Sequence, residues 1–200
     1  MKIQLVTAAV LIALSGSGHA MFMEVGDAGE LVGTAQLVPD GTEHIMGAID
    51  PFGDVDLYKF NHGGGSFGAS TASGTLIDTQ LYLFDAGGNG IVSNDDSSGL
   101  QSAITFSDLA AGMYFLGISV FNNEPVNAAN ELIFADGDFG LNSPAVADAL
   151  LAGWDGNQVA DEGSYLISFR RPTETAVIPE PTVAALLGAG LLGLSLRRRR

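Results

Sequence analysis

The chain has 200 residues, no cysteine, and 23 acidic residues against eight basic ones, a formal charge of −15. Without cysteine there are no disulfides, thiolate metal sites or cysteine nucleophiles. The acidic excess repels nucleic acid and anionic membrane surfaces, so neither is an expected partner.

In chain order, Lys2 gives a positive start, Ile3 to Leu14 an apolar run, and Gly18-His19-Ala20 a small-residue end. That pattern predicts a secretory signal peptide, residues 1–20, cut after Ala20 by signal peptidase once the Sec translocon has engaged it. A permanent N-terminal anchor is the alternative, which the short apolar run disfavours. The next 158 residues, 21–178, are enough for one domain with a real core. They hold three basic residues, Lys59, Arg170 and Arg171, and 22 acidic ones, a formal charge of −19. Divalent cations, or a matrix bridged by them, are natural company for such a body, although an acidic surface also serves solubility alone.

This body reads as β structure. Thr34 to Val38 and Glu43 to Ile49 are predicted strands, followed by Asp54 to Phe60, which alternates polar and apolar residues. Gly63-Gly64-Gly65 marks a turn. Gln80 to Phe84 leads through Asp85 to Gly90 into Ile91 to Ser93, with Asn89-Gly90 expected to supply positive φ for a tight reversal. Ile104 to Phe106 is a short strand. Gly112 to Phe121 is long and apolar enough to be central, buried on both faces. Glu131 to Ala135 and Ser164 to Phe169 complete the set. One helix is expected between them, with Ser143 as N-cap, Pro144 at the first position, Ala145 to Ala152 as its body, and Trp154 packing beneath. Strands at this spacing predict an all-β, antiparallel sandwich.

The last 22 residues, 179–200, have a different character. Pro179-Glu180-Pro181 cannot continue a helix and stays extended. The uncharged run from Val183 to Leu196 covers 14 residues, roughly 21 Å as a helix and short of the ~30 Å hydrocarbon core, so it anchors only marginally. Arg197, Arg198, Arg199 and Arg200 would cost on the order of 10 kcal/mol at the bilayer centre and therefore stay cytoplasmic.

These three parts in order resemble the PEP-CTERM sorting signal of Gram-negative bacteria and some other lineages. The resemblance implies an exosortase, a membrane cysteine peptidase-transpeptidase, as processing partner, with cleavage near Pro179-Glu180-Pro181. It implies an inner-membrane intermediate held transiently by the C-terminal helix, followed by release or attachment at the cell surface. An ordinary C-terminal membrane anchor is the alternative.

A second resemblance rests on Asp54-Val55-Asp56-Leu57-Tyr58-Lys59-Phe60, Asp78-Thr79-Gln80-Leu81-Tyr82-Leu83-Phe84-Asp85, Asn94-Asp95-Asp96, Ala111 to Leu116 and Gly163 to Ile167. Their order resembles the bacterial pre-peptidase C-terminal (PPC) β-sandwich, and more closely the variants common in proteins bearing this sorting signal. It implies a non-catalytic, jelly-roll-like module, with Phe134 to Trp154 an insertion, and in some members binding of calcium or extracellular polymers.

Catalytic motifs fail. Gly64-Gly65-Ser66-Phe67-Gly68 matches a nucleophile elbow and Gly63, Gly65 and Gly68 match G-x-G-x-x-G, but no helix is expected after them and no histidine follows His62. Both reduce to a Gly-rich hairpin, and His44 and His62 to ordinary surface or strand residues. Asp136-Gly137-Asp138 starts like an EF-hand but has Leu141 and Ala147 where Gly and Glu are needed. Asp54, Asp56, Asp95 and Asp96 remain as calcium candidates, because two acidic turns from adjacent strands could supply converging oxygens. The alternative is that they simply serve their turns. The expected function is that of an exported, non-enzymatic surface or matrix protein associated with exopolysaccharide or biofilm. A calcium-dependent or glycan-binding accessory module is the alternative, and an enzyme a distant third.

Overall fold

The computed structural model describes residues 20–51, 53–135, 140–156 and 161–171. Alternation of apolar and polar residues along short segments produces twelve strands and, among the described residues, no helix. In chain order they are β1 (Met21–Met23), β2 (Gln36–Leu37), β3 (His44–Ile49), β4 (Asp56–His62), β5 (Gly65–Ser70), β6 (Thr79–Phe84), β7 (Gly90–Asn94), β8 (Ala103–Leu109), β9 (Gly112–Val120), β10 (Pro125–Val126), β11 (Gly153–Trp154) and β12 (Gly163–Arg170).

Ten of these form two five-stranded sheets. The first has the order β1-β3-β12-β5-β8 and the second β2-β4-β9-β6-β7, while β10 and β11 pair apart. Pairing is antiparallel except at one edge of each sheet, where β1 runs parallel to β3 and β2 parallel to β4. The expected antiparallel sandwich therefore carries a parallel rim. The N-terminal segment supplies both rim strands and wraps from one sheet to the other. Tyr58, Phe60, Leu81, Leu83, Leu116, Ile118 and Val120 of the second sheet meet Ile45, Phe67, Ala69, Ile104, Tyr165, Ile167 and Phe169 of the first in the main core. Phe60 sits at its centre, 4.9 Å edge-on to Phe169 and stacked at 5.4 Å on Phe67.

Strand β9 is central, between β4 and β6, and buried on both faces as expected. Its outward face is covered because Leu57, Tyr82, Phe84 and Phe115 form a second core with Ile133, Phe134 and Leu151. The covering segment is the one expected to be helical, and that expectation is overturned. Its backbone groups bond outward: Asn142 exchanges hydrogen bonds with Ser93, Ala145 N–H reaches Ile133, Gly90 N–H reaches Ala149, and Leu151 N–H reaches Gly88. Glu131 to Ala135 likewise forms isolated bridges to Val126 and Pro144 instead of a strand. The apolar outer face needs a lid that spreads flat, and that demand overrides the local capping signals. Trp154 packs 5.3 Å edge-on to Tyr82 and donates its Nε1–H to Glu30 O at 2.9 Å.

Two turn readings also change. The glycine stretch after β4 is no hairpin, because β4 and β5 belong to different sheets. Gly64, at φ 94°, makes the crossing. In the β6–β7 reversal positive φ falls on Gly88 at 88°, one residue before Asn89. The signal peptide before Ala20, Asp136–Asp138, the Pro-Glu-Pro motif and the 183–196 run lie outside the described residues. No helix among the described residues is long and apolar enough to cross a membrane.

Candidate metal centre

Where β4 begins, four carboxylates gather from two stretches of chain. Asp54 and Asp56 come from β4 and the turn before it, and Glu24 and Asp27 from the segment after β1. Oxygens of Glu24, Asp27 and Asp56 all lie within 4.8 Å of one another. Asp54 adds its charge against both Glu24 and Asp27.

Backbone donors hold the ring in place. Glu24 accepts from Ala28 N–H and Ala48 N–H, both at 3.0 Å, and Asp27 from Gly29 N–H at 2.7 Å. Asp54 accepts from Asp50 N–H at 2.8 Å. Asp56 is fully buried. Tyr58 hydroxyl donates to Tyr165 hydroxyl, which donates to Asp56 Oδ2 at 2.5 Å. Asp56 Oδ1 has no hydrogen-bond partner. Gly47 leaves the necessary room, since a Cβ there would stand 2.6 Å from Glu24 Oε2 and closer still to the Tyr165 hydroxyl.

Burial pushes the Asp56 carboxyl from an ordinary 3.8 up to about 8, against the Tyr165 hydrogen bond and helped by the charges of Glu24 and Asp54. Burial also raises Asp54, with Asp27 and Glu24 adding to it. Tyr58 and Tyr165 are raised by burial first and by their charged neighbours second, so both stay protonated donors. Arg171, which pairs with Asp40 at 3.7 Å, lies far along β4 from these carboxylates. A buried carboxylate grouped with two others fits a hard cation, and calcium accepts such oxygen sets with flexible geometry. Glu24, Asp27 and Asp56 could hold such a cation, with Asp54 beside them. Asp85 is the contrasting case. Burial would raise it, but hydrogen bonds from Asn89, Gly87 and Gly88 outweigh burial and lower it, as a carboxylate that serves only its turn should behave.

Asp95 and Asp96 lie elsewhere. They follow β7 and join Asp78, ahead of β6, in a second acidic group within 4.8 Å. Asp78 is raised by burial, then by Asp96 and Asp161. Along the register Asp56–Ile118–Leu81–Asn94, three strand spacings, roughly 14 Å, separate the two groups. One ion cannot bridge them. The sequence did not point to Glu24, Asp27, Asp78 or Tyr165, because no local pattern links them to their neighbours. Ser66 is exposed on β5, and buried His62 contacts Gly65 O at 3.3 Å through Nε2.

Residues 54–119 match the family model of the bacterial pre-peptidase C-terminal domain, and residues 177–200 match that of the PEP-CTERM protein-sorting motif. A "Probable subtilase-type serine protease" of Deinococcus radiodurans is 40% identical over 74 residues, which cover 34% of this chain and 10% of that protein. The chain therefore spans about a tenth of that relative. The pre-peptidase C-terminal domain of a collagenase from Bacillus anthracis aligns over 68% of this chain and 93% of its own, with 14% identity and a TM-score of 0.41. The PEP-CTERM match points to an exported protein sorted by an exosortase, and a PPC domain is compatible with a non-catalytic role.

Proposed function

We propose that this protein is a non-catalytic module of the cell surface or extracellular matrix, handed to an exosortase through residues 179–200 and working in contact with exopolysaccharide. The sorting-motif match at residues 177–200 carries this reading. The formal charge of −19 between residues 21 and 178 supports it, since it favours a cation-bridged polymer over nucleic acid. Export through the Sec translocon, cleavage after Ala20 and a transient C-terminal anchor complete the route.

Calcium has a specific part in this reading. Glu24 and Asp27 belong to the N-terminal segment, and Asp54 and Asp56 to the sandwich, so one ion would staple the wrapping segment to the body. Extracellular modules bind calcium at roughly 10⁻⁴–10⁻³ M, so the staple would close only after export. The fully buried, unpartnered Asp56 Oδ1 supports this role. The test is intact mass of the protein from membrane, surface and medium fractions, with and without the host exosortase. A species from near Met21 to near Pro179 that disappears without the enzyme is expected. An uncut C-terminus in both strains reduces residues 183–196 to an ordinary anchor.

A further inference from the structure

Strand β1 reads Met21-Phe22-Met23 and β3 begins His44-Ile45-Met46. Their parallel register sets Met21 beside His44 and Met23 beside Met46. Ile45 is buried and Phe22 packs on the main core, so alternation turns the other four side chains to the outer face of the first sheet. Met21, Met23 and Met46 are 50%, 62% and 37% exposed. At a strand spacing of about 4.8 Å and roughly 6.6 Å along each strand, three thioethers stand at corners of a small rectangle, and half-buried His44, its Nδ1 enclosed, takes the fourth. Methionine's unbranched, freely rotating arm lets the sulfurs converge over its middle.

Thioethers are soft donors that carry no charge and suit Cu(I), whereas calcium needs hard oxygens. We propose that Met21, Met23 and Met46 form a surface site for a soft monovalent cation, Cu(I) or its redox-inert analogue Ag(I). The site is independent of the carboxylates at Asp56. It exists only because β1 pairs parallel to β3, since a one-residue slip would turn Met21 and Met23 into the core and Phe22 out. Bound metal would fasten β1 to the sheet.

The full chain, ¹³C-labelled at its methionine methyls and held in mild detergent, is titrated with Ag(I) under NMR, and with Cu(I) anaerobically against a chromogenic chelator. The methyls of Met21, Met23 and Met46 are expected to move together and saturate at one equivalent, while that of Met113 stays still. Met23→Leu with Met46→Leu keeps the apolar volume and the fold. It should weaken Cu(I) competition at least about 100-fold, since even groups that only orient a ligand cost roughly 10–100-fold. Met113→Leu should compete like the parent. The proposal fails if the three methyls do not shift together, or if the double variant holds Cu(I) as tightly as the parent.

Discussion

Asp56→Asn should remove the calcium response of this protein and most of its pH sensitivity. The carboxyl moves from 3.8 to about 8 on folding without metal. Between those values the native state holds a proton that the unfolded chain has lost, so stability falls as pH rises. The stabilisation is fully present below pH 3.8 and gone above about pH 8. The slope is about 1.36 kcal/mol per pH unit, and about four units give on the order of 5 kcal/mol across the range. From pH 5 to 7 the loss is on the order of 3 kcal/mol, or roughly 5–10 °C in Tm for a domain of this size. Calcium at a hundred times its Kd returns about 2.7 kcal/mol by binding only the native form. In the variant the side-chain amide oxygen still accepts from Tyr165 but carries no charge. Its melting curve in chelator should depend on pH far less than the parent's and lie above it at pH 8. The assay is thermal unfolding of parent and variant from pH 5 to 9, in EGTA and in millimolar calcium. A parent Tm that ignores pH in EGTA, or a variant that keeps the parent's calcium shift, refutes the reasoning.

Gly47→Ala places a methyl against Glu24 Oε2 and the Tyr165 hydroxyl. It should raise the calcium concentration at half-saturation at least tenfold, read by calorimetry, because the ligand ring must spread. Asp78→Asn relieves repulsion from Asp96 and Asp161. It should raise stability in chelator by about 0.5–1 kcal/mol in urea melts and leave the calcium response of the Asp56 group unchanged. Phe134 is almost fully buried against Tyr82 and Phe84 under the covering segment. Phe134→Ala should cost about 3–5 kcal/mol in denaturant melts and expose the amides of Gly90 and Ser93 to hydrogen exchange.

The sequence by itself determined the class of the fold, because a period of two is a local property of the chain. Alternation placed β3, β4, β6, β7, β9 and β12 close to where they lie, and the length and apolarity of Gly112 to Phe121 marked β9 as central. It also gave Asp54 and Asp56 as candidates, and the sorting-signal resemblance rests on contiguous residues that need no fold to be read. Local signals failed where the partner was distant. Ser143-Pro144 has the form of a helix start, yet the uncovered aromatic face of the second sheet draws that stretch into an extended lid. The glycines after β4 look like a hairpin until the two strands are seen in different sheets.

The site divides in the same way. Asp56 alone is an ordinary strand residue. Only the tertiary structure buries it, turns Tyr165 onto one oxygen, and brings Glu24 and Asp27 close to it. It equally decides that Asp95 and Asp96 belong to Asp78 instead, because strand order sets those distances. Pairing between strands is non-local: residue types fix which faces are apolar, while closing the chain fixes which carboxylates come together.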